Sequence, residues 1–137
     1  MTTRRFAVAL SFPGEKRAYV CQVADALAAT LGQERVLYDD YLTAELARSE
    51  LDIYLPDLYR TQSELVVPFF CAEYDRKKWC GLEWRYIRAV IIEPEEKHRV
   101  MPFRFDNTPI PGQLLTDGYV DIEIGRASCR ERVYVLV

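Results

Sequence analysis

Short uninterrupted apolar runs alternate with stretches of helical period from one end of the chain to the other. That alternation narrows the possible folds more than any composition figure. Phe6-Ala-Val-Ala-Leu10 is continuous and apolar, as a strand covered on both faces must be. Within residues 15–31 the positions Val20, Ala24, Leu27 and Leu31 step by four, three and four, one stripe of an amphipathic helix, and Gly32 follows as its stop. Val36-Leu-Tyr38 reads as a second strand. Residues 39–48 are polar and loop-like. Leu51, Tyr54, Leu55 and Leu58 restore the helical period, with Pro56 expected to kink that helix or delay its restart. Leu65-Val-Val-Pro-Phe-Phe-Cys71 forms the third strand, although Pro68 conflicts with a central position. Asp75 is expected to cap a helix reaching about residue 92. Residues 100–105 and 119–122 complete five strands. Strands separated by helices pair in parallel, with helices on both faces of the sheet.

In such sheets ligands bind beyond the carboxyl ends of strands, at the point where strand order reverses. Three loops therefore carry the functional candidates: those after Leu10, after Tyr38 and after Cys71. Around them, several chemistries are excluded. The 137 residues carry 18 basic and 21 acidic side chains, a net −3, which argues against general nucleic-acid binding. No apolar run approaches the ~20 residues that span a bilayer. The basic-then-apolar start is too short for a signal peptide and lacks a cleavage site, so a first strand and cytoplasmic residence are expected. Cys21, Cys71, Cys80 and Cys129 are scattered and His98 is the sole histidine, lying in a charged run that reads as solvated. That distribution suits neither a zinc site nor a disulfide scaffold, and it weakens any nucleophile–histidine arrangement. No resident metal or cofactor is expected.

On the predicted helix after the third strand, Trp79 and Glu83 are four residues apart and share a face. The helical neighbours of Glu83 are Trp79, Cys80, Tyr86 and Ile87, none of them a cation. Half of an intrahelical ion pair therefore does not explain this carboxylate. Two readings stay open from the residues alone: a surface glutamate paired with a base from elsewhere, or a functional acid. Trp79 is likewise either a core anchor or a ligand platform. The first loop, Ser11-Phe-Pro-Gly-Glu-Lys-Arg17, offers a turn and a helix start at which Lys16 or Arg17 could meet a phosphate. It is neither a Walker loop nor a dinucleotide fingerprint. A phosphoacceptor receiver domain would share this fold but needs acids after the first strand, where Ser11-Phe12 stands instead.

Taken in order, Phe6-Ala-Val-Ala-Leu-Ser-Phe12 with Gly14-Glu15, Val36-Leu-Tyr-Asp39, Glu64-Leu-Val-Val67, and Tyr74 through Trp79 to Glu83 resemble the TIR (Toll/interleukin receptor homology) domains. Met101-Pro-Phe-Arg-Phe-Asp106 and Ile110-Pro-Gly112 are similar to the bacterial branch. The resemblance implies a flavodoxin-like three-layer fold, with a five-stranded parallel sheet in order 2-1-3-4-5. It also implies cleavage of NAD at the nicotinamide–ribose bond, giving ADP-ribose or a cyclic isomer, in prokaryotic defence signalling. By position, Glu83 matches the catalytic glutamate and Trp79 the aromatic beside the nicotinamide. Phe12, Pro13, Gly14, Arg17 and Asp39 match the substrate-binding segments. Tyr41, Leu42, Thr43, Ala44 and Glu45 match the loop that shapes the site and meets a neighbouring protomer. Homotypic association and a fused or partner sensor domain are implied as well. The other functional class is a non-catalytic module that assembles with further TIR domains. Residues 124–137 read as translated sequencing-adapter DNA, which places the domain at 1–123 with a tail or truncated end behind it.

Overall fold

The computed structural model describes residues 4–92, 98–110 and 118–122, leaving aside the side chains of 75, 78, 79 and 89–92. Five strands, β1 (Phe6–Ser11), β2 (Val36–Leu37), β3 (Ser63–Phe70), β4 (Phe103–Arg104) and β5 (Val120–Asp121), form one parallel sheet in the order β2-β1-β3-β4-β5. Helix α1 (Arg17–Leu31) covers one face. Its buried stripe Val20, Val23, Ala24 and Leu27 packs with Val8, Leu10, Val67, Phe69 and Phe103. The opposite face carries α3 (Leu51–Thr61) and α5 (Lys78–Ile92), where Leu55, Leu58, Trp84 and Ile87 pack with Phe6, Ala9, Val66 and Phe70. The continuous apolar runs are thus continuous because both faces are covered. Among the described residues no helix is long and apolar enough to cross a membrane.

Gly32 ends α1 at φ 96°, donating its N–H to the Ala28 carbonyl at 2.9 Å. An alanine there would hold a left-handed backbone, and its Cβ would lie 2.6 Å from Glu34 Oε1, a side-chain end able to swing away. The backbone term decides, so Gly32→Ala is expected to cost about 1–2 kcal/mol. Urea titration should show a lower midpoint with an unchanged slope.

Several sequence expectations need correction. Pro56 does not delay the restart of α3, because the helix is continuous from Leu51 to Thr61 with Pro56 buried inside. A proline at this position forfeits one hydrogen bond, to the Asp52 carbonyl, and burial of its ring offsets that loss. Residues 39–48 are not an open loop either. They fold into a 3-10 turn (Asp39–Leu42) followed by α2 (Thr43–Leu46). Asp75 does not cap the long helix. It lies inside a short helix, α4 (Ala72–Arg76), which Lys77 separates from α5 with extended dihedrals (φ −80°, ψ 132°). Arg99, read as part of a solvated run, is buried and donates to the carbonyls of Arg60 and Ser63 at 2.8 and 2.6 Å, whereas His98 is exposed.

Pro68 is central in β3, opposite Ser11 of β1. Val66 and Phe70, of the same parity, accept hydrogen bonds from Met101 and Phe105, so the donor that Pro68 lacks would point towards β4. There the ladder is already thin. Only a bridge at Val66–Val100 precedes the Phe69–Phe103 pair, and Met101 and Pro102 belong to no strand. The proline is tolerated because its missing bond falls in that gap. The same gap shortens the strand expected over 100–105.

Candidate active site

Strand order reverses between β1 and β3, and the candidate site opens at their carboxyl ends. Ser11 shares the face of Ala9, two residues earlier, which directs its side chain towards α5. On α5 the buried positions Cys80, Glu83, Trp84 and Ile87 step by three, one and three, so Glu83 sits within the apolar stripe itself. The residue is only 6% exposed. Ser11 Oγ donates to Glu83 Oε1 at 2.7 Å and lies 2.8 Å from the Tyr74 hydroxyl. Tyr59 donates to the Leu10 carbonyl at 2.9 Å and adds a smaller hydroxyl contact to Glu83. Among the described residues no basic side chain pairs with Glu83, which removes the reading as a surface glutamate with a borrowed base. Burial pushes its carboxyl up to about 7. The Ser11 hydrogen bond opposes the rise, and the negative charge of Asp39 adds to it.

Glu83 forms one wall of a cleft of about 370 Å³, large enough for part of a nucleotide. Phe12, Pro13, Gly14, Arg17 and Asp39, all singled out from the sequence, line the same cleft. Leu46, Leu51, Leu55, Lys77 and Cys80 complete the lining without having been singled out, because nothing local marks them. Arg17 grips Asp39 through two bonds of 2.8 and 2.7 Å, meets Asp40 at 2.9 Å, and stacks over Phe12 at 5.0 Å. Lys16, the alternative phosphate ligand, instead lies over the Phe105 ring. Lys77 pairs with Glu15 at 2.9 Å. Trp79 belongs to α5 one turn before Glu83, and its side chain lies outside the described residues.

The residues proposed for assembly are partly anchored. Tyr41 donates to Asp25 at 2.6 Å, Thr43 donates to the Asp40 carbonyl, and Leu42 packs on the core. Glu45 accepts two bonds from Arg5 at 2.6 and 2.5 Å and a very short one from Tyr54. Arg5 foremost, then Tyr54, hold its carboxyl down to about 2. Thr43 and Ala44 are exposed. Cys71 and Cys80 are free buried thiols and Cys21 is free and half-buried, while Cys129 and the tail at 124–137 lie outside the described residues. Among the described residues no group of histidine, cysteine and acidic side chains is arranged to hold a metal.

Fold and site together define a flavodoxin-like α/β domain with an acid buried in its switch-point cleft. A family model described as TIR domain matches residues 8–133, and the chain belongs to that family. It is 39% identical over 118 residues to the 3' cyclic ADP-D-ribose synthase AaTIR of Aquimarina amphilecti. That match covers 86% of this chain and 35% of the relative, so the chain spans about a third of that protein's length. The crystal structure of the TIR domain of the Toll-related receptor TRR-2 from Hydra magnipapillata superposes with a TM-score of 0.67 at 11% identity, covering 95% of this chain and 96% of that one. This likeness is one of fold.

Proposed function

We propose that this domain cleaves NAD at the nicotinamide–ribose bond, with Glu83 as the catalytic carboxylate. The observation that carries the reading is a buried acid, with no cation partner among the described residues, on the wall of a cleft that can take part of a nucleotide. The name of the Aquimarina relative, a cyclic ADP-ribose synthase, supports it. As the C–N glycosidic bond breaks, its electron pair passes to the pyridinium ring and nicotinamide leaves neutral. The ribose left behind develops cationic character. A fixed anion beside it stabilises that charge by several kcal/mol, on the order of 10²–10³ in rate. Water then adds to the sugar and loses its proton, giving ADP-ribose. Attack by the substrate's own adenine or a ribose hydroxyl gives a cyclic product instead.

In this scheme Phe12, Pro13 and Gly14 flank the ribose, and Arg17 exchanges Asp39 and Asp40 for the diphosphate. Trp79 lies beside the nicotinamide. The segment from Tyr41 to Glu45 meets a second protomer, and its exposed Thr43 and Ala44 are free to do so. The free thiols suit a reducing cytoplasm, and NAD loss there suits a role in prokaryotic defence.

Purified domain at rising concentration is expected to release nicotinamide from NAD, with specific activity climbing as light scattering reports association. Turnover in Glu83→Ala equal to the parent's would refute the mechanism. No turnover in either would favour the non-catalytic assembly module. Full activity in strictly monomeric protein would remove the protomer contact.

A further inference from the structure

We propose that Ser11 and Tyr74 are positioning residues. In this arrangement a hydrogen-bond chain of fixed polarity, Tyr74 O–H to Ser11 Oγ and Ser11 O–H to Glu83 Oε1, holds the Glu83 carboxylate ionised at the cleft wall. The inference rests on the catalytic reading of Glu83 for its importance, but not for its geometry.

A serine hydroxyl carries one proton. Ser11 gives it to Glu83 Oε1 at 2.7 Å, so across the 2.8 Å contact Tyr74 must be the donor. Tyr74 is fully buried, and burial pushes its phenol well above the ordinary value, so it keeps its proton under all working conditions. The chain therefore ends on an acceptor. Protonating Glu83 on its other oxygen would leave Oε1 a neutral, weaker acceptor, and the charge-assisted strength of the Ser11 bond would be lost.

The break at Lys77 makes this convergence possible. Residues 74 and 83 are nine apart, and at about 100° per residue a continuous helix would set them on opposite sides. Dividing the segment into α4 and α5 brings both onto Ser11. The corner in the chain thus has a use that helix propensity does not explain.

Among the described residues, the other groups near Glu83 contribute less or oppose ionisation. From α3 comes Tyr59, mainly bonded to the Leu10 carbonyl. From α5 comes Cys80, a thiol kept neutral by burial. The turn after β2 contributes Asp39, which opposes ionisation. The cleft cations Arg17 and Lys77 are held by Asp39, Asp40 and Glu15. Hydroxyl dipoles are what sustain the anion.

The test uses the full chain with Ser11→Ala, Ser11→Thr and Tyr74→Phe, following nicotinamide release from NAD against pH. The Glu83 carboxyl is titrated in parallel by carbon NMR without substrate. Charge-assisted hydrogen bonds are strong enough that Ser11→Ala should move the acid limb of kcat/KM, and the NMR titration, upward by about one pH unit or more. Activity should recover at alkaline pH. Tyr74→Phe should move both the same way by less, and Ser11→Thr should leave both near the parent. Loss of activity by one factor at every pH, with an unmoved titration, would overturn the proposal. If Ser11→Ala does not fold, Tyr74→Phe decides on the same criteria. A parent that leaves NAD intact would refute the proposed reaction, while the NMR titration would still decide the chain.

Discussion

Glu83→Gln is expected to slow NAD cleavage on the order of 10²–10³-fold and yet leave the domain more stable than the parent above neutral pH. The first half follows from chemistry. An amide is neutral, so the developing ribose cation loses its fixed counter-charge, a loss on the order of 10²–10³ in rate. The second half follows from burial. The Glu83 carboxyl ionises near its ordinary 4.5 in the unfolded chain but near 7 when folded. Between those values the folded protein keeps a proton that the unfolded chain has released. Stability therefore falls as pH rises from about 4.5 to about 7 and stays reduced above it, by on the order of 3 kcal/mol. Glutamine retains an oxygen for Ser11 but buries an amide N–H₂, whose incomplete pairing costs about 1–2 kcal/mol. The net gain should be about 1–2 kcal/mol near pH 8, a few degrees in Tm, and should vanish or reverse near pH 4.5. Thermal melts at the two pH values read this directly. A gain of equal size at both, or parental turnover, would contradict it. Activity and stability are set against each other at this one side chain.

Phe70→Ala should have the largest effect on folding. Phe70 closes β3 with no exposure, its ring edge-on to Tyr74 at 5.2 Å and to Trp84 at 4.9 Å. Removing it leaves a cavity where α4, α5 and the sheet meet, a truncation that costs about 3–5 kcal/mol. For a domain of this size that is a fall of roughly 10–20 °C in Tm, with an unchanged urea slope if folding stays cooperative. Tyr74 loses the wall that fixes its ring, so turnover in the remaining folded protein should drop as well. Phe70→Leu, which fills most of the space, should lose less than half as much stability. A drop of only a degree or two for Phe70→Ala would mean that the cavity collapses without penalty.

Parallel pairing and α1 with its glycine stop were legible because they depend on runs and periods that lie within single segments, whereas the strand order came only with the family resemblance. Legible too was the meeting of the loops that carry Phe12, Gly14, Arg17 and Asp39, since loops at one end of a parallel sheet converge, while the place of Glu83 beside them came with the family resemblance. The partners of Glu83 were not. Ser11, Tyr59 and Tyr74 come from three different elements, and no local pattern predicts a contact across 72 residues. One signal was available: Glu83 falls in the stripe Cys80, Trp84, Ile87, and an acid at a buried helical position needs hydroxyl or basic partners. The break at Pro56 did not come, and the open conflict at Pro68 resolved in favour of the strand, for a shared reason. Pro56 and Pro68 each lose a bond at a place where tertiary packing, or a gap in a neighbouring strand, makes the loss small. The helix corner at Lys77 was hidden too, because the segments on either side both have helical sequences.

Arg17 already has a full complement of neighbours: two carboxylates at its edge and an aromatic ring beneath its plane. An anion entering the cleft therefore trades places with resident acids and gains only the difference between two similar pairings. Gross charge then discriminates little among visitors, and selection falls to outline and to the stacking of flat rings.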